Sequence, residues 1–153
     1  MGLAHAISAI KAHMASRTGW PLVWPNEGFP APCDHGGKPV DANGTPSGFV
    51  EAEIIGGAAR TIGIGTVGQR VTVQPGLIRA YLAAPAGTGT DGVNGEADAI
   101  AALFHRITLP TAVPEEQVRC LDAGVHGDVF DRASGNVGAL VMVSISFEYT
   151  FFA

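Results

Sequence analysis

A chain of 153 residues, 46% hydrophobic and 15% charged, is long enough to bury a real core, so neither disulfides nor a metal is needed for stability, and residues 1–153 read as one domain. The formal net charge of −5 argues against a protein that grips nucleic-acid phosphates, since those are basic, but leaves room for DNA that passes nearby without sticking. Low charge and 21 glycines leave less polar surface than usual, so a monomer would expose apolar patches and an oligomer is expected.

The two cysteines, Cys33 and Cys120, are far apart and read as free thiols in a reducing cytoplasm. Met1–Ala6 lacks a basic region followed by an apolar core, so no signal peptide is expected. No apolar run approaches about 18 residues, so no membrane span is expected either.

Leu3, Ile7, Ile10 and Met14 fall on one helical face, with His5, Ser8, Lys11 and Ser16 largely off it. The spacing predicts a helix over 3–16, ended by Gly19 and Pro21. Residues 19–48 follow as a Pro/Gly-rich loop. Its length implies a role, either as a binding arm or as a segment disordered in the protein alone. Trp20-Pro21-Leu22-Val23-Trp24-Pro25-Asn26-Glu27-Gly28-Phe29-Pro30 opens that loop and holds both tryptophans of the chain. Large aromatics on a loop with little room to bury them fit a docking surface better than a catalytic pocket. Trp20, Trp24, Pro25, Asn26 and Phe29 are therefore interface candidates. For Trp24 a second reading stays open, in which it tucks back onto its own sheet, because tryptophan is highly buried on average.

Phe49–Ile55 alternates, with Val50, Ala52 and Ile54 on one face and Glu51 and Glu53 on the other, which predicts a strand. Gly56-Gly57 reads as a turn, Arg60–Ile64 and Val67–Val73 as strands, Pro75-Gly76 as another turn and Leu77–Ala83 as a short strand. After a loop over Ala84–Asn94, Asn94 is placed as the cap of a second helix with Glu96 in its first turn. Val93, Ala97, Ile100, Ala101, Phe104 and Ile107 form the apolar stripe of that helix, and Pro110 and Pro114 stop it. Gln117–Leu121 and Val125–Asp131 read as strands. In the last strand Val137, Ala139, Val141, Val143, Ile145, Phe147, Tyr149 and Phe151 share one face, and Ser144, Ser146, Glu148 and Thr150 the other. The expected fold is α+β: a mainly antiparallel sheet with two helices packed on one side, in the order α-β-β-β-(β)-α-β-β. No internal repeat is read from the sequence.

Candidate chemistry is sparse. Gly63-Ile64-Gly65-Thr66-Val67-Gly68 matches G-x-G-x-x-G, but a strand pattern rather than a helix follows it, so it reads as a glycine-rich hairpin or bulge and no cofactor is expected. Cys33-x-His35 and Cys120-x5-His126 offer four soft donors without the paired spacing of a zinc site, so no metal is expected. His5 and His13 lack an adjacent acid and read as solvated or interface residues. His105-Arg106 suits the negative end of a helix. Asp34-His35 and His126-Gly127-Asp128 lie in loops away from any nucleophile motif, and no G-x-S-x-G elbow is present, so a hydrolase is unsupported and no catalytic residue is assigned. Glu51 and Glu53 read first as the wet face of their strand. Repeated around a ring, such a face would line a negative channel.

Several pieces in order carry a resemblance. A helix is followed by Val23-Trp24-Pro25-Asn26-Glu27-x-Phe29, then a Phe49-Val50-x-Ala52 strand, the segment around Ile62-Gly63 and a Pro85-x-Gly87-Thr88-Gly89 turn. A helix of the Ala97-Asp98-x-Ile100-x-x-Leu103-Phe104 type and a strand ending in Phe147-x-Tyr149 complete the set. Nearly the whole chain thus resembles the tail terminator proteins of long-tailed bacteriophages, more narrowly those of siphophage and prophage tail modules and of gene transfer agents. Cys33–Gly48 is longer and richer in Gly and Pro than that pattern requires. The resemblance implies a non-enzymatic virion protein that forms a ring, typically a hexamer, at the head-proximal end of the tail tube. It would stop tube polymerisation and meet the major tail tube protein and the head-completion (stopper) protein. DNA would pass through its lumen only transiently, and the chain would assemble in the host cytoplasm. Glu51, Glu53 and Glu148 are the lumen-facing candidates. The competing readings are a neighbouring head–tail stopper or minor tail-tube protein, a small hydrolase-type or nucleotide-binding enzyme, and a host stress or adaptor domain.

Overall fold

The computed structural model describes residues 2–85, 87–129 and 137–153. Its strands are β1 (Leu22–Val23), β2 (Phe49–Gly56), β3 (Arg60–Thr61), β4 (Val71–Pro85), β5 (Thr108–Pro110), β6 (Gln117–Val129) and β7 (Val137–Phe152). They form one seven-stranded sheet in the order β1-β2-β4-β7-β6-β5, with β3 also paired to β4. β1 runs parallel to β2 and every other pairing is antiparallel. Helices α1 (Gly2–Ala15) and α2 (Asp91–Phe104) pack over the same side of this sheet. The expected α+β class holds, with short β1 and β5 added to the expected strands.

The core lies between the helices and the inward-facing residues of β2, β4, β6 and β7. Val50, Ile78, Leu82, Val118, Val143, Ile145, Phe147 and Tyr149 are buried there. Phe147 and Tyr149 are the large members of the alternating pattern expected of the last strand. The side chains of Val137 and Ala139, assigned to that face, lie outside the described residues. α1 buries Ala6, Ile10 and Met14 with Leu3 beside them, while Ile7 stays half-exposed. The buried stripe is centred on Ala6, Ile10 and Met14, rotated from the expected one that included Ile7. α2 starts at Asp91 after Thr90, so Asn94 lies inside its first turn and is not the cap. Asn94 N–H donates to the Thr90 carbonyl (3.0 Å). Its buried face is Val93, Ala97, Ile100 and Phe104, and Ile107 falls beyond its end.

Two expected breaks are strand interior. Pro75-Gly76 lies within β4, which runs unbroken from Val71 to Pro85. Proline removes a ladder donor, so it is tolerated where that donor has no task. Gly56 pairs with Gly76, so Pro75 sits just past the end of β2. The Pro75 carbonyl still accepts from Gly57 N–H (2.7 Å), and the Gln74 side-chain amide donates to the Gly57 carbonyl (2.9 Å), doing what the missing Pro75 N–H cannot. At Gly76 a Cβ would collide with the Phe147 ring, which lies across the strand. The expected strands at 117–121 and 125–131 are likewise one strand, β6, whose register shifts at Cys120/Ala123 and His126/Val129 keep it bent against β7. Phe130 and Asp131 of that expectation, and Ala86 of the expected loop, lie outside the described residues. Of the expected strand 60–64 only Arg60–Thr61 pairs, with β4. β1 and β5 escape periodicity because two or three residues carry no period.

Candidate interaction surface

The motif that opens the arm is first of all a turn. Pro25 presets the turn and Asn26 adopts a left-handed φ of 65°, which asparagine tolerates. Glu27 N–H donates to the Trp24 carbonyl (3.1 Å), and the Glu27 carboxylate accepts from Trp24 N–H (3.3 Å). This places Trp24 inward. It is 8% exposed and belongs to the core, with the Lys11 ammonium 5.3 Å from its ring centroid. Of the interface candidates, Trp24 is therefore the one that anchors the arm to its own core, with little surface left free. Trp20 is half-buried and its ring fills the space beside Gly48, where any side chain would clash with it. Arg17 fixes that corner by donating to the Trp20 carbonyl (2.6 Å) and to Glu96 (3.1 Å). Burial lowers the Arg17 pKa, and Glu96 opposes the shift. Phe29 is also half-buried, edge-on to Phe49 at 5.4 Å between centroids. Only Pro25 and Asn26 are exposed.

Beyond Phe29 the arm contains a repeat that the sequence reading missed. Pro32-Cys33-Asp34-His35-Gly36-Gly37-Lys38 and Pro39-Val40-Asp41-Ala42-Asn43-Gly44-Thr45 adopt the same turn seven residues apart. In the first, one Asp34 carboxylate oxygen accepts from Gly36 and Lys38 N–H (2.9 Å each). In the second, Asp41 accepts from Asn43 and Thr45 N–H (2.8 and 2.9 Å). Asp34 and Asp41 N–H donate to the Lys38 and Thr45 carbonyls, both at 2.8 Å. The bridges Cys33↔Pro39 and Val40↔Pro46 repeat with the same spacing. Side-chain acceptors thus satisfy backbone donors that a loop would otherwise leave to water. The signal was present as Pro, Asp and Gly recurring at a period of seven.

Among the described residues, the side of the sheet opposite the helices carries no helix, and the arm folds onto its edge through Phe29 against Phe49 and Lys38 against Glu51. Alternation puts Glu51 and Glu53 of β2, Leu77, Arg79 and Tyr81 of β4, and Met142, Ser144 and Glu148 of β7 on that side. The three carboxylates singled out from the sequence therefore share one face, with Arg119 of β6 opposite Glu148 in the register. They are not bare negative charge. Lys38 Nζ lies 2.6 Å from Glu51, and Arg79 lies 3.6 Å from Glu53, which also accepts from the Tyr81 hydroxyl (3.3 Å). Such half-exposed pairs add little stability, but they offset charge across the face. An open cleft of about 310 Å³ at its edge is lined by Trp24, Asn26, Glu27, Glu51, Glu53 and Tyr81.

The same face brings His126 Nε2 within 2.8 Å of Ser144 Oγ, a pair that the sequence did not suggest. Ser144 lies in the β7 ladder opposite Gly124, while His126 stands at the register shift of β6. His5 and His13 both serve as ties. His13 Nε2 contacts the Leu103 carbonyl (2.8 Å) with its ring edge-on to Phe104, and His5 Nδ1 contacts Glu116 (2.9 Å). Glu116 also accepts from the Tyr149 hydroxyl. Burial works to raise the Glu116 pKa, but these two hydrogen bonds outweigh it and leave the carboxyl below its ordinary value. Burial, helped by Glu116, raises that of Tyr149. Cys120 is buried in the core and its pKa is pushed up to about 11 by burial, whereas Cys33 lies on the arm and donates to the Phe29 and Pro30 carbonyls. Among the described residues, no three His, Cys, Asp or Glu side chains converge as metal ligands, and no helix is long and apolar enough to cross a membrane.

Gly63–Gly68 forms the tip of a hairpin between β3 and β4. Ile62 N–H donates to the Val71 carbonyl (2.9 Å), Gln69 N–H donates to the Thr66 carbonyl (2.9 Å), and Gly68 has a φ of 88°. Ile62, Ile64 and Val67 project into solvent from this tip. Comparison with models of known protein families finds no match, and comparison with curated proteins finds no relative.

Proposed function

We propose that this chain is a structural ring subunit of a phage-like tail: a tail terminator that caps the head-proximal end of the tail tube, stops its polymerisation and joins it to the head-completion protein. The observation that carries the reading is the sheet with helices on one side only. Such a subunit can turn its helices outward and its helix-free face toward a lumen. On that face Glu51 and Glu53 are paired with Lys38 and Arg79, and Arg119 stands opposite Glu148 in the register, so it lacks the cationic excess that would hold DNA phosphates. The order of motifs from Val23-Trp24-Pro25-Asn26 to Phe147-x-Tyr149 supports the family. In this reading the chain has no catalytic activity. It assembles in the host cytoplasm as a homo-oligomer, expected to be a hexamer, and resides in the particle, with DNA crossing its lumen only in transit.

Removing the chain from an otherwise complete tail module tests this function. The expected result is tubes of uncontrolled length that fail to join heads, with both defects repaired by the intact chain. Tubes of normal length that lack only a later component would point instead to a head–tail stopper.

A further inference from the structure

The hairpin tip and a pocket at the far end of the sheet are complementary. Ile64 is fully exposed, Val67 84% and Ile62 60%. Together they present on the order of 400 Å² of apolar surface, as large as the biggest patch on a typical monomer and about half of one side of a standard interface. Nothing local requires these residues, because the turn itself is closed by backbone bonds and by Gly68. At the opposite end of the 15-residue β4, roughly 40 Å away at the usual strand rise, a mainly apolar pocket of about 450 Å³ opens between the repeated turns and the strand ends. Pro39, Pro46, Phe49, Ala84 and Pro85 form its apolar lining, and Asp34, His35 and Lys38 are among its polar members.

We propose that the tip of one copy seats in this pocket of the next, as a head-to-tail contact between identical chains. Charge favours the same pairing. The hairpin carries Arg60 and Arg70 with no acid between Ala58 and Val71. The turns around the pocket carry Asp34 and Asp41, and their one lysine, Lys38, is already paired with Glu51. The pocket volume accommodates two or three aliphatic side chains, which matches Ile64 and Val67 with Ile62 at the margin. A knob and a hole on different ends of one chain make a heterologous interface, which closes into a ring or runs on as a filament. This inference rests on the ring reading and supplies its contact.

The test uses the full chain carrying Cys33→Ser, so that the remaining native thiol is the buried Cys120. Ile64→Cys and Ser47→Cys versions are mixed, oxidised with diamide and resolved without reductant. The mixed disulfide is expected to exceed either self-linked product at least tenfold. Ile64→Asp with Val67→Asp is expected to weaken self-association at least tenfold in sedimentation, with an unchanged circular dichroism spectrum because both positions are exposed. Tip-to-tip linkage as efficient as tip-to-pocket would overturn the proposal. So would unchanged association in the double aspartate variant, or a chain that stays monomeric at high concentration and gives no mixed disulfide, which would assign the tip to a different protein. A ring whose neighbours meet elsewhere refutes this contact and leaves the ring standing. Open filaments joined through it do the reverse.

Discussion

Replacing Trp24 with alanine separates the two roles available to the aromatic arm. The side chain is 8% exposed and packs in the core next to α1, with Lys11 over its ring. Truncating a core tryptophan loses both the transfer free energy and the contacts around the cavity left behind, about 3–5 kcal/mol. Against a total stability of about 5–15 kcal/mol, that is enough to move a denaturation midpoint far or to prevent folding. The turn at Pro25-Asn26 would lose its buried end, so the arm should loosen with the core. Urea denaturation followed by circular dichroism measures the loss, with Phe29→Ala as a comparison. Phe29 is half-buried and edge-on to Phe49, and its truncation is expected to cost about 1 kcal/mol in ring contact. A Trp24→Ala protein that loses under about 1 kcal/mol, yet no longer assembles, would refute the anchoring argument and return Trp24 to an interface.

Three further outcomes are expected. Gly76→Ala forces a methyl group into the Phe147 ring and should cost about 1–3 kcal/mol in the same denaturation assay, although alanine suits a strand better than glycine. Glu116→Gln should flatten the acid limb of the stability profile. The native carboxyl has a lowered pKa, so its contribution is present above its unfolded pKa and lost as pH falls through the folded one; a midpoint scan through the carboxylate range reads the difference. Asp34→Ala should deprotect the Gly36 and Lys38 amides in hydrogen exchange while sparing Asn43 and Thr45, and Asp41→Ala should do the converse. Loss of protection in both turns from either change would show that they fold as one unit.

The fold was legible where a period ran long enough. The α2 stripe and the alternation of β7 from Val141 to Tyr149 place both elements and their buried faces. Proline and glycine misled at Pro75-Gly76, because their usual meaning was reversed by two contacts distant in sequence: the Gln74 amide bonded to Gly57, and Phe147 lying over Gly76. The shared face of Glu51 and Glu53 followed from parity within one strand, but their neutralisation by Lys38 and Arg79 depends on the arm folding back and on strand register. Trp24 shows the same limit. Its motif was conspicuous in the sequence, yet a Pro-Asn turn that points the ring inward decides its role. The exposed tip at Ile64 and the pocket at Phe49 and Pro46 lie at opposite ends of the molecule, and no local pattern announces that the two could be complementary.

A reconstruction of the intact particle that resolves the neck tests the central claim most directly. The account predicts copies of this chain in a closed ring at the head-proximal end of the tube, with α1 and α2 on the outside and Glu51, Glu53 and Glu148 toward the lumen. A chain found elsewhere in the particle, or a ring with all three carboxylates on its outer wall, would contradict it.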